Sequence, residues 1–130
     1  MTYFNRLPQL LNTLDSLCQY NDFNVIIVDD NSPEQLDLKT YPFDIHVLRL
    51  NRKEWINPAP VFNFGFNHAI KECRADIIVL QNAECYHVGN ILSAVIDKLT
   101  DENYLSFAAY SLAKGQNITF RDFNKKGAVS

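Results

Sequence analysis

An open, mostly parallel α/β sheet with helices on both faces is the architecture that this sequence predicts. Apolar residues recur at helical spacing in three segments. Short apolar runs lie between these segments, and they are continuous rather than alternating, as is typical of strands buried on both faces of a parallel sheet. The connections are short, so consecutive elements should pack as neighbours with right-handed crossovers. The predicted element order is α-β-β-α-β-α-β.

The first half of the chain contains one predicted helix and two predicted strands. Pro8 suits a first helical turn, and the helix is marked by a leucine stripe: Leu7, Leu10, Leu11, Leu14 and Leu17. Residues 24–28 form an apolar run that stops at the turn-forming residues 29–33. A poorly patterned connection, residues 34–42, leads to a second strand over residues 45–50.

The second half repeats the alternation after a loop over residues 51–60. A second helix is marked by Phe62, Phe66, Ala69, Ile70 and Cys73. Residues 76–80 are predicted as a third buried strand, ending in the polar residues 81–84. A third helix is marked by Val88, Ile91, Leu92, Val95 and Leu99. Residues 104–110 are predicted as a fourth strand, and the tail from Gly115 is indistinct.

Length and composition predict one soluble domain over residues 1–130, with 47% hydrophobic and 21% charged residues. The net charge of −3 argues against nucleic acid as a partner. The longest apolar runs are too short for a membrane span, and the N-terminus does not resemble a signal peptide. Three cysteines without CxxC spacing predict reduced thiols in the cytoplasm rather than a zinc site. We expect Cys18 and Cys73 to be buried on apolar helix faces.

Polar residues follow two of the predicted strands, at Asp29-Asp30 and at Asn82-Ala83-Glu84. Ligands of open α/β sheets bind outside the carboxyl ends of the strands, so the candidate site lies between these segments. The acidic pair is compatible with a divalent metal, with hydrogen bonds to a base or ribose, or with a plain solvated turn. A two-component receiver domain is excluded, because no carboxylate follows the second strand at residues 50–53 to accept a phosphoryl group.

The order of the motifs resembles the family 2 glycosyltransferases, inverting enzymes of the GT-A, Rossmann-like fold that use nucleotide-diphosphate sugars. The matching segments are Thr2-Tyr3-Phe4-Asn5-Arg6, Val28-Asp29-Asp30-Asn31-Ser32, Asn63-Phe64-Gly65-Phe66-Asn67 and Asn82-Ala83-Glu84. They stand where that family has T-Y-N-R, V-D-D-x-S, a glycine-containing helix and D-x-D. The resemblance extends from the start of the chain to Ala113.

The resemblance implies a nucleotide-binding role for Thr2, Tyr3, Arg6, Asp29, Asp30 and Asn82. Asp30 corresponds to the carboxylate that accepts a hydrogen bond from the base, which suits uracil, thymine or guanine because they present an N–H there, whereas cytosine presents an acceptor. The expected donor is linked to UDP or GDP. Glu84 corresponds to the carboxylate that binds Mn²⁺ or Mg²⁺. The site departs from D-x-D, since Asn82 is neutral and Glu84 is longer than aspartate. Arg49, Arg52 and Lys53 either contact the diphosphate or form a solvated basic loop.

Two portions of the family pattern fall outside this sequence. The family's buried first strand precedes T-Y-N-R, and only Met1 precedes Thr2 here. Without that strand, the backbone edges of its two neighbours would be unpaired. These edges would either pair with each other or pair with a second copy of the chain, giving a homodimer through the sheet. The acceptor-binding half with its catalytic base follows the fourth strand in the family. Residues 114–130 contain Asp122 as their only acidic residue, so the catalytic base is unknown.

Two functions follow from these expectations. The first is a glycosyltransferase, represented by its donor-binding part, acting on a carbohydrate or glycoconjugate acceptor; this chain by itself is then not expected to transfer sugar. The second is a non-catalytic module that binds a nucleotide or nucleotide sugar.

Overall fold

The computed structural model describes residues 1–51 and 58–105. The chain divides into two compact units, Met1–Tyr86 and His87–Ser130. The first unit contains β1 (Thr2–Tyr3), α1 (Leu7–Leu17), β2 (Asn24–Asp29), β3 (Asp44–Arg49) and α2 (Ala59–Lys71), and the second contains α3 (Ile91–Lys98). None of the helices in the described ranges has the length and apolar character needed to cross a membrane.

The first unit is built on a parallel sheet of three strands in the order β1-β2-β3. Thr2 pairs with Val28, and all six residues of β2 pair in sequence with β3 from Asp44 to Arg49. The central strand carries the core, since Val25, Ile27 and Val28 are almost wholly buried. The open parallel sheet predicted from the continuous apolar runs is therefore confirmed.

Helix α2 lies against the face of the sheet that carries Ile26 and Val28. A Cβ atom placed on Gly65 would be 2.8 Å from Val28 Cγ2 and 3.9 Å from Ile26 Cγ2. Only a residue without a side chain permits this approach, because real Cβ contacts of 2.8 Å essentially do not occur. The glycine inside the apolar helical stripe is thus explained by close packing of helix on strand.

Helix α1 begins and ends close to its predicted bounds. Its apolar stripe is buried at Leu10, Leu14 and Leu17. The residue before the helix, Arg6, supplies no side-chain cap. Instead the first helical N–H, that of Leu7, donates to Glu34 Oε1 at 3.1 Å. A carboxylate at this end also interacts favourably with the helix dipole.

The predicted strand over residues 76–80 is wrong: these residues form no strand, and Ile77 and Leu80 are 40% and 56% exposed. One isolated parallel bridge joins Asn82 to Thr2 instead. Burial pattern alone predicted the strand, but a strand also needs a partner backbone, and β1 offers only two residues here.

Three smaller expectations have different outcomes. The third helix is confirmed, and the side chain of Asn90 caps it by accepting from Ser93 N at 3.1 Å. The expected burial of two cysteines is wrong, because Cys18 is exposed and Cys73 is half-buried two residues beyond α2. The fourth predicted strand falls mostly outside the described residues, and its first two residues, 104 and 105, are not in a strand.

Candidate functional site

Three segments meet at the carboxyl ends of the strands. The backbone N–H of Asp30, just after β2, donates to Tyr3 O at the end of β1 at 2.9 Å. On the other side of β1, Thr2 bridges to Asn82, whose carbonyl accepts from Cys85 N at 3.2 Å to form a turn. The polar segments 29–32 and 82–85 therefore flank the end of β1, in the place that the sequence predicts for the site.

Asp29 shapes the turn after β2. It is fully buried, and its Oδ1 accepts from Ser32 N at 2.8 Å. Its Oδ2 accepts from Arg49 Nη1 at 3.0 Å, and Arg49 Nη2 donates to Ser32 O at 2.6 Å. Asn31 adopts a positive φ of 58°, which asparagine tolerates better than most residues. Both carboxylate oxygens of Asp29 are thus engaged within the protein.

Asp30 follows at the point where the backbone leaves β2. It is 6% exposed, so its carboxylate lies in a shielded environment rather than in open solvent. A carboxylate in such surroundings makes stronger hydrogen bonds than one in water. Its backbone is held by Tyr3, and the turn beyond it is held by Asp29 and Arg49. The backbone that carries this carboxylate is therefore held by β1 and β3.

Glu34 joins the loop after β2 to β1 and α1. Tyr3 donates its hydroxyl hydrogen to Glu34 Oε1, which also accepts from Leu7 N. Burial and the adjacent Glu34 carboxylate raise the pKa of Tyr3 above its usual value. A second tie connects the same loops, since Asn5 N donates to Ser32 Oγ at 2.9 Å. Sequence reasoning missed Glu34, because no local pattern in the segment from 34 to 42 marks a helix-capping carboxylate.

Arg6 and Glu84 form the charged rim of the site. Arg6 Nη1 lies 2.9 Å from Glu84 Oε1, and the side chains are 59% and 40% exposed. Arginine is the residue type expected at a diphosphate, and a carboxylate is the type expected at a divalent cation; here the two are paired with each other. Ala83 between Asn82 and Glu84 is buried, which anchors the turn. Arg49 contacts Asp29 rather than forming a solvated loop, and residues 52 and 53 lie outside the described ranges.

The oxygen donors at this edge fit a divalent cation held by few protein ligands. Glu84 is the accessible carboxylate, whereas Asp29 is used by the turn. Within residues 1–51 and 58–105, the one group of three or more His, Cys, Asp or Glu ligand atoms close together lies elsewhere, at His46, His68 and Cys73. A hard cation here would take Glu84 and complete its oxygen shell from phosphates and water.

Comparison with known proteins agrees with this arrangement of motifs. Residues 1–126 match the model of "Glycosyl transferase family 2". The chain is 23% identical over 137 aligned positions to a protein of Pyrococcus furiosus named dolichol-phosphate mannosyltransferase. That alignment covers 98% of this chain and 37% of the relative, so the chain spans little more than a third of the relative's length. No solved structure gives a significant match. The family match over almost the whole chain shows that it belongs to glycosyltransferase family 2.

Proposed function

We propose that this chain binds the nucleotide-diphosphate-sugar donor of a glycosyl-transfer reaction. One observation carries the proposal: the turn after β2 and the turn at 82–85 flank the end of β1, with a buried carboxylate at Asp30 and the Arg6–Glu84 pair at its rim. A nucleobase N–H and the ribose hydroxyls need hydrogen-bond partners, and a diphosphate needs a cationic side chain or a metal ion held by oxygen ligands. The family to which the chain belongs supports the same assignment.

Each residue has a distinct role in this proposal. Asp30 accepts from the N–H of uracil or guanine, while the end of β1 at Thr2 and Tyr3 borders the base. Asp29 acts indirectly, because it holds the turn that carries Asp30. Asn82 contacts the ribose. These assignments favour UDP or GDP donors over CDP, since cytosine presents an acceptor where the other two bases present a donor.

The diphosphate is assigned to Arg6 and to a metal held by Glu84. Arg6 exchanges its contact with Glu84 for a diphosphate oxygen, so that both partners stay paired when the donor binds. Mn²⁺ or Mg²⁺, when bound, stabilises the negative charge that develops on the leaving nucleoside diphosphate. Glu84 supplies one ligand from the chain, which makes metal binding depend on the nucleotide.

The acceptor and the catalytic base are not assigned to residues of the described ranges. The relative in Pyrococcus furiosus is named for mannosyl transfer to dolichol phosphate, so mannosyl donors and a polyprenyl phosphate are the first pair to assay. An acceptor that reacts through a hydroxyl group also requires a base within hydrogen-bond reach of that hydroxyl, whereas a phosphate acceptor is already ionised. Asp122, the acidic residue of the segment from 114 to 130, lies outside the described residues.

The metal assignment is tested by calorimetric titration of the protein with UDP and GDP, with and without Mn²⁺. The parent protein should bind the preferred nucleotide more tightly with Mn²⁺, and Glu84→Gln should lose that dependence. Glu72→Gln is the matched control, because Glu72 is an exposed glutamate at the far end of α2. Equal binding with and without Mn²⁺ in the parent would reject the role of Glu84.

Two further expectations stay predictions. A homodimer through the sheet is supported by the exposed apolar side chains of Ile77, Val79 and Leu80, which make no sheet pairing. Light scattering of the purified chain tests it, and a monomer at all concentrations would contradict it.

A cytoplasmic location is supported by the free thiols of Cys18, Cys73 and Cys85.

A further inference from the structure

A second cluster of chemically active side chains lies on the α2 side of the sheet. His46 belongs to β3, His68 belongs to α2, and Cys73 lies two residues beyond the end of α2. One potential ligand atom from each residue lies within 4.8 Å of the others, and all three residues are half-buried. The imidazole rings of His46 and His68 are 5.6 Å apart between centroids, at an angle of 62°.

Strand register and helix packing bring the two histidines together. His46 pairs with Ile26, and paired residues of neighbouring strands project to the same face of the sheet. Gly65 packs α2 against that face at Val28 and Ile26. His68 follows Gly65 by three residues, close to one helical turn, and is therefore carried towards His46.

The end of α2 turns Cys73 back towards His68. The amides of both Glu72 and Cys73 donate to the carbonyl of His68, at 2.9 and 3.3 Å. Arg74 then adopts a positive φ of 50°, which is uncommon for a residue other than glycine or asparagine. Ala75 N donates to Ala69 O at 3.0 Å, closing the turn. The thiol is thus placed by a backbone conformation that costs free energy.

The cluster also contains an unsatisfied polar atom. His68 Nε2 is buried and has no hydrogen-bond partner among the described residues. A buried polar atom without a partner is energetically unfavourable, so such atoms are rare unless a ligand or ion satisfies them. Two imidazole nitrogens and one thiolate are borderline-soft donors that suit Zn²⁺, whereas Mn²⁺ and Mg²⁺ prefer oxygen.

We propose that His46, His68 and Cys73 bind one Zn²⁺ ion, which fastens the end of α2 to strand β3. Tetrahedral zinc places its ligand atoms about 3.3–3.6 Å apart, so the atoms of the cluster need to approach by at most about 1.5 Å through side-chain rotation. Water completes the fourth position. The site is separate from the donor site, since His46 pairs with Ile26, three residues and about 10 Å before Asp29 along the strand. It does not depend on the proposed function.

The test uses the full chain, stripped with a chelator and titrated with ZnCl₂ alone in competition with a chromophoric chelator. The parent should bind one equivalent. Cys73→Ser and His68→Gln should each weaken zinc binding at least about a hundredfold, because even outer-shell changes cost 10–100-fold. Cys18→Ser is the matched control, since Cys18 is an exposed thiol at the end of α1, and it should bind like the parent.

Two further measurements keep the result independent of variant folding. Co²⁺ in place of Zn²⁺ should give the parent a thiolate-to-cobalt charge-transfer absorption. Zn²⁺ should also raise the melting temperature of the parent and of Cys18→Ser, and leave that of Cys73→Ser unchanged. Parental zinc affinity in both Cys73→Ser and His68→Gln, or a cobalt spectrum of the parent without the thiolate band, would overturn the proposal.

Discussion

Arg6 and Glu84 are 78 positions apart in the sequence, and their side chains form an ion pair of 2.9 Å at the rim of the candidate site. Both side chains are substantially exposed, so the pair contributes at most about 1 kcal/mol to stability. A pair of this kind is easily exchanged for other partners. The proposed function assigns this pair to ligand binding, whereas a purely structural role would leave it little to contribute.

The first prediction separates these two roles. Arg6→Gln should leave the melting temperature within a degree or two of the parent, since little stability depends on an exposed ion pair. It should nevertheless weaken binding of the nucleoside diphosphate about tenfold or more, because a charge-assisted contact to the phosphates is lost. Thermal unfolding and calorimetry on the same preparation check both parts. A large loss of stability with unchanged affinity would make Arg6 a structural residue.

The second prediction concerns the ion pair between Arg49 and Asp29. Arg49→Met leaves the buried Asp29 carboxylate with one hydrogen-bond donor fewer and removes a donor to Ser32 O. We expect the free energy of unfolding to fall by about 1.5–3 kcal/mol, the range for lost hydrogen bonds to charged groups. Urea denaturation measures it, with Arg6→Gln as the comparison. A decrease in the free energy of unfolding smaller than that of Arg6→Gln would contradict the structural role given to Asp29.

The third prediction tests the close approach of α2 to β2. Gly65→Ala places a methyl group 2.8 Å from Val28 Cγ2, so the helix or the strand must shift. Overpacking of this kind costs about 1–3 kcal/mol, against up to about 1 kcal/mol gained from the higher helix propensity of alanine. In the Val28→Ala background the clash is removed, and Gly65→Ala should be neutral or stabilising there. Urea denaturation of the parent, the two single variants and the double variant checks this prediction. An equal loss of unfolding free energy on Gly65→Ala in both backgrounds would contradict it.

The sequence predicted those parts of the fold that depend on local pattern. The continuous run of β2 and the leucine stripe of α1 are each determined by neighbouring residues, and both appear within a residue or two of the expected bounds. Residues 76–80 have an equally apolar pattern but form no strand, because pairing depends on the backbone beside them. Hydrophobic pattern indicates burial, whereas strand formation also requires a partner.

The placement of the candidate segments at one edge of the sheet was predicted to the same extent, while the roles given to their residues stay predictions. The order of the motifs predicted that Asp30, Arg6 and Glu84 would lie at one edge of the sheet. The segments that carry these residues lie there in the structure. The contacts that hold them are long-range pairings from unpatterned segments, such as Glu34 with Tyr3, and spacing in the chain does not encode them. The cluster of His46, His68 and Cys73 was missed for the same reason. Its members come from a strand, a helix and a turn, and zinc motifs are recognised from sequence by close spacing.

Base selectivity is the measurement that tests the account most directly. Calorimetry with UDP, GDP and CDP in the presence of Mn²⁺ should show tighter binding of UDP or GDP than of CDP. Asp30→Asn should weaken the preferred nucleotide by about 1–3 kcal/mol. Asp22→Asn should not, because Asp22 is an exposed aspartate before the opposite end of β2, at a positive φ that asparagine accepts. Equal affinity of the parent for CDP, UDP and GDP would contradict the assignment of Asp30 and, with it, the proposed donor site.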